Sequence, residues 1–212
     1  MVPPFIELTN LTKNFGNGKG IFDLSFGVQQ GEVFGFLGPN GAGKSTTIRH
    51  LMGFMKPQSG SCQIMGKDCF SQAALIQQSV GYLAGEIAFI EDMSGISYLN
   101  FIADMKGIRD RSSIRDLLYR FELNPRGKIK KMSKGMKQKI GLVAAFMGDP
   151  SVLILDEPTS GLDPLMQNRF VELLLERKKK GSTVFMSSHI FEEVEKTCNR
   201  TAIIREGRLV DI

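Results

Sequence analysis

Apolar positions along this chain follow distinct spacings, and each spacing predicts a different element. Unbroken apolar runs stand at Val33-Phe34-Gly35-Phe36-Leu37 and at Val152-Leu153-Ile154-Leu155. Runs without polar alternation predict strands covered on both faces, as in a central parallel sheet. Ser79–Leu83 and Ser182–Ser188 predict two further strands. Toward the N-terminus, Phe5–Leu8 and Phe22–Val28 flank a turn region at Gly16–Gly20, and Gly60–Lys67 reads as another short strand. Together they predict a small antiparallel sheet. From Asp92 to about Gly148 the spacing turns helical: Ile96, Leu99, Phe101 and Ile102 form one stripe, and Ile114, Leu117, Leu118 and Phe121 another. A helix opens near Met132 and runs through Ile140, Leu142, Val143 and Phe146. Pro164–Lys180 predicts an amphipathic helix with Leu165, Phe170, Leu173 and Leu174 inward; its basic end at Arg177–Lys180 suits a helix C-terminus, with Gly181 as cap. Ala202–Val210 reads as a terminal hairpin.

Composition narrows the class without naming a function. A chain of 212 residues, 42% hydrophobic and 23% charged, has the makeup of one globular unit with room for a subdomain. Its net charge of +5 suits a polyphosphate ligand better than a nucleic-acid surface, which calls for a dense basic stripe with interleaved aromatics. Three cysteines, Cys62, Cys69 and Cys198, lack metal-ligand spacing and suggest a reducing compartment. The opening residues lack the pattern of a signal peptide, and no apolar run approaches the roughly 20 residues of a membrane helix. If the protein works at a membrane, another polypeptide is expected to hold it there.

The chemistry is concentrated where strands end. Gly38-Pro39-Asn40-Gly41-Ala42-Gly43-Lys44-Ser45-Thr46 follows the first buried run and leads into a helix. In that context the glycines let successive N–H groups wrap an anion, and the helix N-terminus adds donors. Lys44 is expected to neutralise the β- and γ-phosphates of a nucleoside triphosphate and Ser45 to hold Mg²⁺. The second buried run ends in Asp156-Glu157-Pro158. Acids at the carboxyl end of a central strand sit where open α/β sheets bind ligands. Asp156 is therefore expected to hold Mg²⁺ and Glu157 to polarise an attacking water. His189 ends a later strand and reads either as a structural histidine or as a γ-phosphate sensor. Phe15, in the first predicted loop, reads either as core or as a surface on which a base stacks.

In this order the motifs resemble the nucleotide-binding subunit of ATP-binding-cassette (ABC) transporters, over essentially the whole chain. The glycine loop resembles Walker A, Val152–Glu157 Walker B, Ser160-Gly161-Leu162-Asp163 the D-loop, and His189 the switch histidine. Phe15 stands in the place of the adenine-stacking aromatic. Met132-Ser133-Lys134-Gly135-Met136 resembles the signature, keeping its serine and second glycine only. The resemblance implies a P-loop NTPase (RecA-like) fold of class α/β. Its expected parts are an antiparallel β part (5–30 and 60–70), a nucleotide-binding core (31–59 and 151–212) and a helical subdomain (86–150). It further implies a Mg²⁺-dependent ATPase that works as a head-to-tail pair, Ser133 and Gly135 of one subunit completing the ATP site of the other. Membrane-spanning subunits would hold it at the inner face of the cell membrane, and no nucleic-acid partner is expected. The form of the signature leans toward export of a drug or peptide, and no regulatory domain is expected after Arg208. Gly85 falls where the family carries a glutamine, so Glu86 or water is expected to take its place at the metal. Ile87, Phe89, Ile90 and Met93 are read either as a groove for the membrane subunit or as local packing. Two other readings stay open: a soluble ABC ATPase remodelling nucleic acid or ribosomes, and a regulatory ATP-binding module with weak turnover.

Overall fold

A computed structural model of the chain describes residues 3–212. Two long strands, β1 (Ile6–Gly16) and β2 (Lys19–Val28), form a hairpin. The buried β3 (Val33–Leu37) leads through the glycine loop into α1 (Lys44–Leu51). Next come β4 (Ser59–Ile64), β5 (Lys67–Asp68), the short α2 (Ala73–Gln77) and β6 (Val80–Leu83). A helical stretch follows with α3 (Gly95–Met105), α4 (Ser112–Arg120) and α5 (Lys134–Phe146). The chain then alternates β7 (Val152–Asp156), α6 (Pro164–Lys179), β8 (Thr183–Ser188) and α7 (Phe191–Thr197), and closes on the hairpin β9 (Arg200–Arg205) and β10 (Arg208–Asp211).

The strands form two sheets, ordered β2-β1-β4-β5 and β10-β9-β3-β8-β7-β6. The first is antiparallel throughout; in the second, only β10 runs antiparallel to its neighbour. The unbroken apolar runs are explained by burial on both faces. Leu153 and Leu155 of β7 join Val184 and Met186 of β8 in a core shared with α3 to α6. Their neighbours Val152, Ile154 and Phe185 face the other way, into a core shared with α1 and the antiparallel sheet. There Phe26 of β2 stacks on Phe34 of β3 at 5.3 Å and on Phe185 at 6.0 Å, which fastens one sheet to the other. Aromatic pairs at such separations add about 0.5–1.5 kcal/mol each beyond area burial.

Helical periodicity overcounts the inward residues. Phe101 and Leu165 are exposed, while Leu99, Ile114, Leu117, Phe170, Leu173 and Leu174 are buried as the stripes predict. A helix on a surface has room inward for about three residues in two turns, so an extra apolar side chain is left outside. The register places four parallel strand ends side by side. Leu37 pairs with Ser188, Asp156 with Ser187, and Leu83 with Leu155. Loops leaving β3, β8, β7 and β6 therefore open on one edge of the sheet.

Candidate functional site

The glycine loop is built for close approach. Gly43 has φ of 112°, and a Cβ there would lie 2.8 Å from Ile21 Cγ2. α1 starts directly after it without a side-chain cap, which leaves its first N–H groups for a ligand. Lys44 is buried and donates to the carbonyls of Gly38 (2.7 Å) and Pro39 (3.2 Å), while its Nζ lies 3.2 Å from Glu157 Oε1. Three partners for three ammonium donors hold the charge across the mouth of the loop.

Asp156 is 3% exposed, and its Oδ1 accepts a 2.5 Å hydrogen bond from Ser187 Oγ. The same Ser187 oxygen accepts the N–H of Glu157 at 3.1 Å. Glu157 has φ of 51°. A non-glycine residue held in the left-handed region carries about 1–3 kcal/mol of strain, and such strain concentrates at functional sites. In that conformation the Glu157 carboxylate leaves the strand direction and reaches both Lys44 and His189 Nδ1. One carboxylate thus spans the lysine of the glycine loop and the histidine beyond β8. Beside it, burial and the charge of Asp156 push the Tyr82 hydroxyl up to about 12, with Arg49 opposing.

Lys44, Asp156, Glu157 and His189 line one cavity of 670 Å³, together with Asn40, Gly41, Gly43, Ser45, Thr46, Gly85, Ser160 and Phe15. That volume lies within the roughly 300–1,000 Å³ of small-molecule sites. Phe15 lies near the end of β1 rather than in the loop expected for it, and of its two readings the core one is excluded: it is 53% exposed and lines the cavity. Gly38 stands just below the cavity, where a Cβ would meet Ile204 O at 2.4 Å. A larger cleft of 1030 Å³ is lined by residues of α4 and α6, but its lining mixes acids and bases and includes no glycine loop.

The donor set fits a Mg²⁺-bound triphosphate. Ser45 and Asp156 face the same space, and Mg²⁺ characteristically takes one or two carboxylates plus substrate phosphates. Among the described residues no cluster of three His, Cys, Asp or Glu would hold a metal by itself. A Cβ on Gly85 would stand 3.0 Å from Asp156 Oδ2, so the glycine leaves that oxygen unobstructed. Glu86 is exposed and lines an adjoining depression of 360 Å³ that also includes Ser45, Gly85 and Asp156.

Three other sequence-predicted residues lie outside this lining. Ser133 caps α5, accepting Met136 N–H at 3.2 Å, and is exposed. Asp163 caps α6 by accepting Met166 N–H at 2.9 Å. Gly135 packs on its own chain, with Gly161 O 2.8 Å from where a Cβ would stand. Of the two readings of Ile87 to Met93, local packing holds for Ile87 and Phe89, while Ile90 is exposed. Ile87 and Phe89 pack against the core, and Phe89 meets Tyr98 edge-on at 5.0 Å.

Sequence reasoning missed several groups that hold the site. Ser187 is legible only from the β7–β8 register. Gln138 of α5 donates to Pro158 O (2.9 Å) and Glu157 O (3.3 Å). Glu193 of α7 accepts from Thr159 Oγ1 at 2.5 Å and from Ser188 Oγ at 3.2 Å, which ties the loop after β7 to the end of β8.

Comparison with known proteins agrees with this geometry. A family profile described as ABC transporter matches residues 21–160. An ABC transporter ATP-binding protein of Bacillus subtilis (strain 168), YhcH, is 40% identical over 211 residues, covering 98% of this chain and 69% of that protein. The bacitracin transport ATP-binding protein BcrA of Bacillus licheniformis is 38% identical over 211 residues, covering 97% of this chain and 68% of BcrA. A solved structure of the ATP-binding subunit of an ABC transporter superimposes with a TM-score of 0.87 at 31% identity, covering 97% of this chain and 88% of that one. The chain belongs to the ABC transporter family, as one of its ATP-binding cassettes.

Proposed function

We propose that the chain hydrolyses Mg·ATP in the 670 Å³ cavity and thereby drives export of a peptide antibiotic or similar compound through separate membrane subunits. The observation that carries the reading is the convergence of Lys44, Ser45, Asp156, Glu157 and His189 from two strand ends and one glycine loop. Loop N–H groups and Lys44 bind the phosphates. Ser45 and Asp156 would hold Mg²⁺, which supplies charge compensation at the phosphates; Glu86 lines the adjoining depression with both and would add an outer contact. Glu157 accepts a proton from the attacking water, and His189 orients the Glu157 carboxylate through Oε2. Phe15 offers an exposed ring to the base. The peptide-antibiotic lean rests on the similarity to BcrA, a bacitracin transport protein.

Ser133, Gly135 and Asp163 stay outside the cavity within one chain, which supports a head-to-tail pair in which they serve the partner's site. The membrane subunits would meet the depression beside Gly85, where Phe54 is exposed and stacks edge-on against Tyr82 at 5.7 Å. No described helix is long and apolar enough to cross a membrane, in keeping with a peripheral place at the inner face. The test is Glu157→Gln. Mg·ATP binding is retained, and turnover falls by roughly 10²–10⁴, the range for loss of a general base. Parental turnover in that variant would remove Glu157 from the role.

A further inference from the structure

We propose that Gln138 is a positioning residue for hydrolysis: from inside α5 it holds the turn that aims Glu157. This rests on the reading of Glu157 as the group that takes the proton from water. Gln138 is 6% exposed, on a helix whose other buried residues are apolar or glycine. A buried amide is tolerated only where its hydrogen bonds are made. Its Nε2 donates to two successive carbonyls, Pro158 O at 2.9 Å and Glu157 O at 3.3 Å.

Those carbonyls belong to the segment where the chain leaves β7. Glu157 is in the left-handed region, and Pro158 has no N–H with which to continue a ladder. Glu157 O also accepts Ser160 N–H at 3.1 Å, so the turn closes on itself and Gln138 fixes it from outside. Gly135, three residues earlier on the same face of α5, approaches Gly161 O closely. One face of α5 thus follows the 157–161 turn from end to end. The side chain that results from this aim is the Glu157 carboxylate between Lys44 and His189.

The same helix starts at Ser133, five residues before Gln138. A shift of α5 is therefore delivered to the backbone of the chain's own Glu157. Gln138 is not itself part of the cavity lining, meets Glu157 only at its backbone carbonyl and touches no group assigned to phosphate or metal, so its contribution falls on turnover and not on ATP affinity.

The test uses the full chain with Mg·ATP. Gln138→Leu keeps the volume and removes the donor. Its kcat falls roughly 10–100-fold, the size expected when a reacting group is displaced by about 1 Å, while ATP affinity by titration calorimetry stays within about twofold. In Gln138→Glu the side chain donates only when protonated, and burial against two carbonyls raises its pKa. The kcat of that variant therefore recovers toward parental as pH falls from 8 to 6, a profile the parent lacks. The double variant Gln138→Leu/Glu157→Gln is no slower than Glu157→Gln alone, because the effect passes through one carboxylate. Parental kcat in Gln138→Leu beside a slow Glu157→Gln would overturn the role of Gln138 and leave the base assignment standing. A Glu157→Gln chain at parental turnover would instead overturn the base reading itself. If Gln138→Leu fails to fold, the pH profile of Gln138→Glu decides, and a flat profile refutes the proposal.

Discussion

Replacing Ser187 with alanine removes one oxygen that serves two groups of the site. Its hydroxyl donates to Asp156 Oδ1 at 2.5 Å and accepts the Glu157 N–H at 3.1 Å. A hydrogen bond to a charged group is worth about 1.5–3 kcal/mol net and a neutral one about 0.5–1.5. The second loss is softened because Glu157 N also reaches Ser187 O at 3.3 Å. Asp156 Oδ1 has no second donor among the described hydrogen bonds, and the acid is only 3% exposed, so most of that loss stands. The expected destabilisation is about 2–3 kcal/mol. For a chain of 150–250 residues each kcal/mol moves Tm by roughly 2–4 °C, so a drop of about 4–12 °C follows. The assay is thermal unfolding by circular dichroism at pH 7.5 without added metal. A drop below about 2 °C would show that Asp156 does not depend on Ser187, and the account of how β8 holds the acid of β7 would fail.

Three further perturbations test other parts of the site. Lys44→Ala leaves the phosphate charge uncompensated and is expected to lose most ATP binding in equilibrium titration; affinity within about twofold of parental would refute the role of Lys44. Gly85→Ala places a Cβ 3.0 Å from Asp156 Oδ2, so the carboxylate must shift by a few tenths of an ångström; the Mg²⁺ concentration for half-maximal hydrolysis is expected to rise about 10-fold, and an unchanged titration would show that this oxygen does not face the metal. His50 is fully buried in α1, its Nδ1 donating to Thr46 O at 2.8 Å and its Nε2 without a partner. Burial lowers its pKa, the Thr46 carbonyl opposes this and the Lys13 charge adds to it. The folded chain therefore binds fewer protons than the unfolded one once pH falls below about 6.5, and stability present above that pH is lost going down, by at most about 1.4 kcal/mol per pH unit from this group. Urea unfolding at pH 7.5 and 5.5 checks it, since His50→Gln should remove this part of the pH dependence.

What could be read in advance was whatever the chain states locally. Gly38–Thr46 carries loop, lysine and helix start in consecutive residues, and Asp156, Glu157 and His189 announce themselves by ending apolar runs. The groups that hold these residues are not local. Ser187 meets Asp156 only because β7 and β8 are neighbours in that register. Gln138 looks like any polar helix residue until α5 is laid against Pro158. Phe15 is ambiguous in sequence because β1 runs on to Gly16, which carries the ring past the core and beside the cavity. Ile87 and Phe89 invite a partner on paper because the neighbours that cover them, Gly141 and Tyr98, are distant or unremarkable in sequence.

The strand order has a bearing on how the protein is made. β3 and β7 are not neighbours; β8 lies between them and supplies the hydrogen bonds that join the two. The glycine loop leaves the ribosome early and Glu157 much later, yet they have no common sheet until Thr183–Ser188 has been synthesised and inserted. Pairings this far apart in sequence form slowly, and the strands waiting for them expose apolar edges. A nascent chain that ends before β8 therefore has its phosphate loop and its acids but no site, so ATP cannot guide their assembly. Nucleotide can stabilise only a chain that already includes β8, and until then the edges of β3 and β7 wait unpaired.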